Sequence, residues 1–351
     1  MNKFARIIDL SQRRAREGHL GLWRQLGEMA VLRALHGVGP GYYHTAGFWR
    51  RELGWGDKTG QVSANEYRRR IGLLNPLPYR KLSQNKIPEK AILALFGVPT
   101  PRFLGRLEAR TGCDPAGRSL RNAADLERLA DEHRAVRLVF KRLEGWGGKG
   151  VLIPMIEHGP PVTFREPGNS NARSVQDYCT EVLWLDQGGD WIIEEYFEQH
   201  PDLSAINPAS VNTVRIWVID RGRDGFQAIT AYLRIGRRNM FVDNASSGGI
   251  VAPIDLALGR LQAARDAQAE HNIYPRHPDH DAPIAGIELP YWPDVQKLAK
   301  QALSVFPGLR FAGLDVAIGS SGPVILELNV SPDREGAAFT DCPSAKLLRA
   351  D

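Results

Sequence analysis

In the C-terminal stretch "GLDVAIGSSGPVILELNVSPD", Asp315 precedes a glycine turn, and Glu327 and Asn329 follow it. Glu327 and Asn329 stand two apart, so a strand there points both side chains to one face. Leu326 and Leu328 are then expected to fill the core on the opposite face. Oxygen donors from Asp315, Glu327 and Asn329, aimed together, suit one or two Mg²⁺ ions held against the phosphates of a nucleotide. A second stretch, "VFKRLEGWGGKGV", sets Lys141, Glu144 and a glycine-rich loop with Gly147, Gly148 and Lys149 between two apolar runs. Glycines let a backbone approach a bound group closely, and lysines among them favour an anion such as phosphate. The loop lacks the Gly-Lys-Ser/Thr of a Walker A motif, and it has neither the strand-to-helix context nor the spacing of a dinucleotide fingerprint. In "WIIEEYFEQHPDL" an apolar strand runs into Glu194, Glu195, Tyr196 and Phe197. Such a strand end offers backbone N–H and C=O groups to a purine. Arg215 in "NTVRI" and Arg234 in "YLRIG" fall on strands, where a guanidinium is costly to bury without a partner. Each therefore clamps a carboxylate or phosphate, or makes a structural salt bridge.

The elements that must position these residues are legible in outline. Leu20, Trp23, Leu26, Met29, Ala30 and Leu32 recur at helical spacing and predict one or two amphipathic helices within residues 1–36. Ser63 is a helix cap with Glu66 as its capping-box partner. A helix from about Lys86 to Phe96 ends at Gly97 and the prolines of "GVPTPRF". "DLERLADEH" and "WPDVQKLAKQALSVF" read as further helices. "VRLVFK" and "GVLIPMI" form a hairpin around the glycine loop, and "TVRIWVID", "AITAYLRIG", "FAGLDVAIG" and "VILELNV" are strands. Helices followed by hairpin-rich mixed structure predict an α+β fold, not a doubly wound parallel sheet.

With 351 residues, 43% of them hydrophobic, the chain can bury the cores of two or three lobes. A net charge of +5 over this length is a solvated surface and, without basic residues interleaved with aromatics in one module, does not indicate nucleic acid. Cys113, Cys179 and Cys342 are far apart and form no CxxC pair, which fits a reducing cytoplasm. No run approaches the roughly 20 apolar residues of a membrane span. His271, His277 and His280 match no standard zinc spacing.

Taken in order, "NKIPEKAILALFGVPTP", "VFKRLEGWGGKGV", "IIEEYFEQHP", "VNTVRIWVI", "VDNASSGGIVAPID" and the C-terminal hairpin resemble the ATP-grasp superfamily. The likeness is to the sugar-transfer-associated ATP-grasp family, from about residue 80 onward. The resemblance implies ATP held between two α+β lobes: a helical N-terminal region (1–80), a first lobe with lid and adenine hinge (81–205), and a second lobe with the metal-binding hairpin (206–351). It makes Lys86 and Lys141 phosphate contacts, residues 144–150 the lid, and Glu194 to Phe197 the hinge. Asp202 or His200 would reach the ribose, and Asp315, Glu327 and Asn329 would hold Mg²⁺. Lys141, Arg215 and Arg234 would act at the reacting centre, beside the small residues of 243–249. The implied activity is a ligase that phosphorylates a small-molecule carboxylate, free or sugar-linked, for attack by an amine. A phosphotransferase acting on a sugar or polyol hydroxyl, and a non-catalytic nucleotide-binding scaffold, are the alternatives. One departure stands out: many ATP-grasp ligases have an arginine two residues before the metal-binding aspartate, and here that position is Gly313.

Overall fold

The computed structural model describes residues 3–134, 136–145, 150–238, 240–243, 248–266 and 268–348. The N-terminal region is a run of helices: α1 (Lys3–Arg16), α2 (Leu22–His36), α3 (Pro40–Thr45), α4 (Trp55–Thr59), α5 (Ala64–Leu74) and α6 (Leu77–Gln84). Helix α7 (Lys86–Leu95) leads into the first sheet, built of β1 (Phe103–Glu108), β2 (Leu138–Arg142), β3 (Val151–Leu152) and, after three further strands, β7 (Asp190–Glu195), in the order β1-β7-β2-β3. Helix α8 (Ala123–His133) packs Leu126, Leu129 and Ala130 onto Leu138, Phe140, Trp191 and Ile193 of this sheet. Strands β4 (Met155–Glu157), β5 (Thr163–Arg165) and β6 (Arg173–Ser174) form a small separate sheet.

The second large sheet follows α9 (Val175–Asp177) and α10 (Pro201–Ile206). It comprises β8 (Thr213–Asp220), β9 (Phe226–Ile235), β10 (Ile250–Pro253), β11 (Ala264–Asp266), β12 (Ile273–Tyr274), β13 (Phe311–Gly319) and β14 (Gly322–Asn329). Its order is β12-β11-β10-β9-β8-β13-β14, and every described ladder is antiparallel, the α+β arrangement expected. Alternation sorts its residues. Val214, Ile216, Val218, Leu314 and Val316 pack on one face under α11 (Trp292–Ser304), whose Val295, Leu298, Ala299 and Leu303 fill the same core. Leu93 of α7 and Leu203 and Ile206 of α10 join that core too. The opposite face carries Arg215, Trp217, Tyr232, Arg234 and Asp315. Part of it is covered by Tyr67, Ile71 and Leu74 of α5, with α12 (Glu335–Phe339) and α13 (Ser344–Leu347) nearby.

The structure departs from the sequence reading at four places. The run "GVLIPMI" is not one strand: β3 stops at Leu152, and β4 joins a different sheet, because Pro154 has no N–H for a ladder. Register shifts between Asp315 and Val316, so Ile325 joins Leu328 in the core and Leu326 is only half-buried. Trp23 is 83% exposed and Ala30 is exposed, while Gln25 is buried, donating to the carbonyls of Ser11 and Leu20. Ser63 does cap α5 by accepting from the Glu66 N–H at 3.2 Å, but the Glu66 carboxylate turns away to Arg69 and Arg70. Charge-assisted bonds to two guanidiniums outcompete one neutral backbone N–H.

Candidate active site

The charged residues singled out in the sequence gather where α7 lies between the two large sheets. Asn85 caps this helix by accepting from the Ile87 N–H, and Lys86, Glu89 and Lys90 follow at the i, i+3, i+4 spacing that shares one face. Lys86 Nζ lies 3.7 Å from Glu327 of β14. Glu89, fully buried, accepts the Leu328 backbone N–H at 3.3 Å. Lys90 Nζ lies 2.7 Å from Glu194 of β7 and donates to the Pro101 carbonyl. One helix face thus ties the β7 end of the first sheet to β14 of the second.

Lys141, on β2 beside β7, approaches Glu194 from its other oxygen at 2.8 Å. The Glu194 side chain is 1% exposed and sits between two ammonium groups. Burial pushes its carboxyl up, but Lys141 and Lys90 outweigh that and hold it below the ordinary range. Burial lowers Lys90, with the Lys141 charge adding to the fall, whereas for Lys141 the pull of Glu194 overcomes burial and raises it. Burial and the nearby Glu327 charge push the Glu89 carboxyl well above the usual range.

On the second sheet, Asp315 registers opposite Arg215 on β8 and opposite Glu327 on β14. Arg215 grips both oxygens of Asp315, with Nη2 3.0 Å from Oδ2 and Nε on Oδ1. Arg234 adds Nη2 at 3.0 Å to the same Oδ2 and 3.2 Å to Asp243. Thr213 accepts from Arg234 through Oγ1, and Asp243 accepts both the backbone N–H and the hydroxyl of Thr213. Burial raises the Asp315 carboxyl, but the two guanidiniums win and lower it; for Asp243 burial wins and its carboxyl stays raised.

Asn329 pairs across from Gly313, and its Oδ1 accepts the Ser331 N–H at 3.0 Å. Asp315, Glu327 and Asn329 therefore share the sheet face that also presents the arginines. Their oxygen donors have the chemistry a hard divalent cation requires. Among the described residues no His, Cys, Asp or Glu side chains form a ready group of three around one point. Asp315 is turned to its arginines and Glu327 to Lys86.

The remaining predicted residues take these places. Glu144 is exposed, 4.0 Å from Lys81. Gly145 lines a cavity of ≈ 40 Å³ with Ser83, Gln84, Glu327, Leu328, Asn329 and Val330, and so lies against the end of β14. Gly147, Gly148 and Lys149, and residues 244–247, lie outside the described residues. Glu195 pairs with Arg102 at the surface, and Tyr196 stacks under Arg137. Phe197 reaches the β13–β14 turn, where a Cβ on Gly319 would come within 2.9 Å of its ring. Asp202 is exposed in the first turn of α10, its N–H donating to His200. His271, His277 and His280 bond instead to the carbonyls of Thr45, Gly236 and Ile206. Glu89, Lys90, Thr213 and Asp243 were not singled out by chemistry in the sequence. The first two were findable, since they repeat Lys86 on the same helix face; Thr213 and Asp243 reveal themselves only when the strands are laid side by side.

An antiparallel four-stranded sheet and an antiparallel seven-stranded sheet, with α7 and its charged residues between them, make up this α+β arrangement. The model of the family described as sugar-transfer associated ATP-grasp matches residues 65–348, and the chain belongs to that family. Among solved structures it is similar to the D-alanine-D-alanine ligase of Coxiella burnetii, at 10% identity and TM-score 0.40, covering 74% of this chain and 50% of that one. It is also similar to an N5-carboxyaminoimidazole synthase from Aspergillus clavatus in complex with ADP and its ribonucleotide, at 12% identity and TM-score 0.42, covering 77% and 54%. A D-alanine–D-alanine ligase from Bacillus anthracis complexed with ATP gives 15%, 0.41, 74% and 58%. The chain thus spans about half the length of these proteins. No curated protein matches it. Among the described residues no helix is long and apolar enough to cross a membrane.

Proposed function

We propose that this chain is an ATP- and Mg²⁺-dependent ligase that activates a carboxylate as an acylphosphate for attack by an amine or similar nucleophile. The observation that carries the reading is the convergence of Arg215, Arg234, Asp315 and Glu327 on one sheet face, with Lys86 of α7 beside Glu327 and Lys141 of the first sheet close enough to feel the charges of Asp315 and Glu327. An acceptor carboxylate oxygen would attack the γ-phosphorus, breaking the bond to the bridging oxygen and releasing ADP. The amine would then attack the acyl carbon, phosphate would leave, and the amine would lose a proton. No protein nucleophile is required by this chemistry. Lys141 and Lys86 would offset phosphoryl charge, while Arg215 and Arg234 would orient the acceptor and steady the acylphosphate. Glu194 to Phe197 would border the adenine and Asp202 the ribose. The residues from Glu144, including Gly147, Gly148 and Lys149, would close over the phosphates and keep water out. Asp315, Glu327 and Asn329 would hold Mg²⁺, which when bound offsets charge on the transferring phosphoryl group.

Gly313, where many ATP-grasp ligases carry an arginine, is compatible with this chemistry. A Cβ at that position would lie 3.1 Å from Cδ of Arg215, so the neighbouring strand delivers a guanidinium over the same spot. The sugar-transfer association in the family description favours a sugar-linked acceptor, and with it a place in polysaccharide or cell-envelope biosynthesis is our reading. Incubating the protein with ATP, Mg²⁺, hydroxylamine and a panel of sugar-linked and free carboxylates tests the reaction type. Hydroxamate with ADP supports it. A stable phosphorylated sugar without hydroxamate would instead assign phosphotransfer to a hydroxyl.

A further inference from the structure

Helix α2 is apolar on two sides, and the fold covers only one of them. Gln25, Met29 and Leu32 are buried, and Met29 and Leu32 join the core formed with Tyr42, Tyr43, Phe48 and Trp49. At 3.6 residues per turn, Trp23, Gly27, Ala30, Val31 and Ala34 fall on another side within an arc of about 100°, with Leu35 at its border. All six are exposed, Trp23 by 83%, Leu35 by 75% and Val31 by 40%. A helix that is apolar all round is ordinarily covered all round.

Charge decides what fits this face. Residues 1–36 hold seven Lys and Arg against three Asp and Glu, a net +4 of the chain's +5. Arg24 and Arg33 lie on either side of the arc, and both are exposed. Arg24 reaches Glu28 at 3.3 Å, but the buried Lys58 already holds that carboxylate at 2.7 Å, so the Arg24 charge is surplus. Among the described residues Arg33 makes no ion pair, nor does Arg16 at the end of α1. Two copies of this face would bring guanidiniums together, whereas an anionic surface would meet them with opposite charge. Trp23 and Leu35 stand about 18 Å apart along the helix axis, at 1.5 Å per residue. Between them on the arc lie only glycine, alanine and valine. Fluid lipid conforms to so uneven a surface without a matching partner.

We propose that the exposed face of α2 docks on an anionic lipid bilayer. The helix lies flat there, with Trp23, Val31 and Leu35 among the headgroups and Arg24 and Arg33 at lipid phosphates. No membrane-spanning helix is needed, and the proposal is independent of the ligase reading.

The test is flotation of the full chain with vesicles of equimolar phosphatidylcholine and phosphatidylglycerol, beside vesicles of phosphatidylcholine alone. The chain should float with the first, lose most of that binding in high salt, and stay behind with the second. Trp23→Asn and Leu35→Asn alter exposed side chains and should keep the wild-type melting temperature. Each should weaken vesicle binding by about tenfold, the scale of withdrawing one large apolar side chain from water. Arg33→Gln should weaken it by about fivefold and reduce its salt dependence. No flotation with the anionic vesicles, equal flotation with the neutral ones, or wild-type binding by Trp23→Asn overturns the proposal. Sedimentation equilibrium tests the competing occupant: a wild-type dimer that Trp23→Asn dissociates assigns the face to a second copy and overturns the proposal as well.

Discussion

Arg215 lies across Gly313: a Cβ built on the glycine would stand 3.1 Å from Arg215 Cδ, 3.0 Å from Pro332 Cβ and 3.2 Å from Trp217 Cδ1. A side chain on β13 and the Arg215 stem on β8 cannot both occupy that space without one yielding. Gly313→Ala should therefore cost about 1–3 kcal/mol of stability, as overpacking does. It should also displace the guanidinium from Asp315. Chemical denaturation measures the first effect. A stability equal to wild type would mean that the space is not filled as described.

Glu194 stands between Lys90 and Lys141, 2.7 Å from one and 2.8 Å from the other. Glu194→Gln leaves two buried ammonium groups facing each other and should destabilise by about 3–5 kcal/mol, the cost of breaking a buried ion pair. Its pKa is depressed in the fold, so the stabilisation it gives is present above the unfolded carboxylate value near 4.3 and is lost as pH falls through the lower folded value. The difference between Glu194→Gln and wild type should accordingly shrink in acid. Urea titrations at pH 7 and at pH 3 compare the two.

His271 is 2% exposed, edge-on to Trp49, with Arg265 and Arg50 nearby. Burial and then those two guanidiniums push its pKa down to about 3. The folded chain keeps this imidazole neutral while the unfolded chain protonates it below about 6.5. Its share of stability is complete above pH 6.5 and is lost progressively as pH falls toward 3. His44, buried and near Arg14, is lowered to about 4 and acts in the same direction. Replacing His271 with Gln should flatten the fall in melting temperature between pH 6.5 and 4. An identical slope would remove His271 as its source.

Much of this architecture was legible because its signals are local. Alternation marked β8, β9, β13 and β14, a 3.6 period marked α11, and Gly97 with the prolines beside it marked the end of α7. The same alternation put Glu327 and Asn329 on one face. It misplaced Leu326, because a bulge adds a residue without leaving any mark in the spacing of apolar residues. It joined β3 to β4 because an apolar run hides that Pro154 cannot serve a ladder. What the sequence could not show is pairing at long range. Arg215 and Asp315 are 100 positions apart, and Lys90 and Glu194 meet only once α7 is packed between the sheets. Both arginines read equally as substrate clamps or salt bridges until their strands were adjacent.

The central claim, a nucleotide and Mg²⁺ site between the two sheets, is tested most directly by thermal unfolding with ATP and Mg²⁺, against ATP with EDTA, in wild type and Glu327→Gln. Glu327 suits the control because its side chain is 41% exposed and its ion pair with Lys86 is loose at 3.7 Å, so its replacement leaves the fold standing. At about 100 times the Kd, a ligand adds roughly 2.7 kcal/mol. The account predicts a rise in melting temperature of several degrees that requires Mg²⁺ and is abolished or strongly reduced in Glu327→Gln. No rise at millimolar ATP, or an equal rise in the variant and with EDTA, would contradict it.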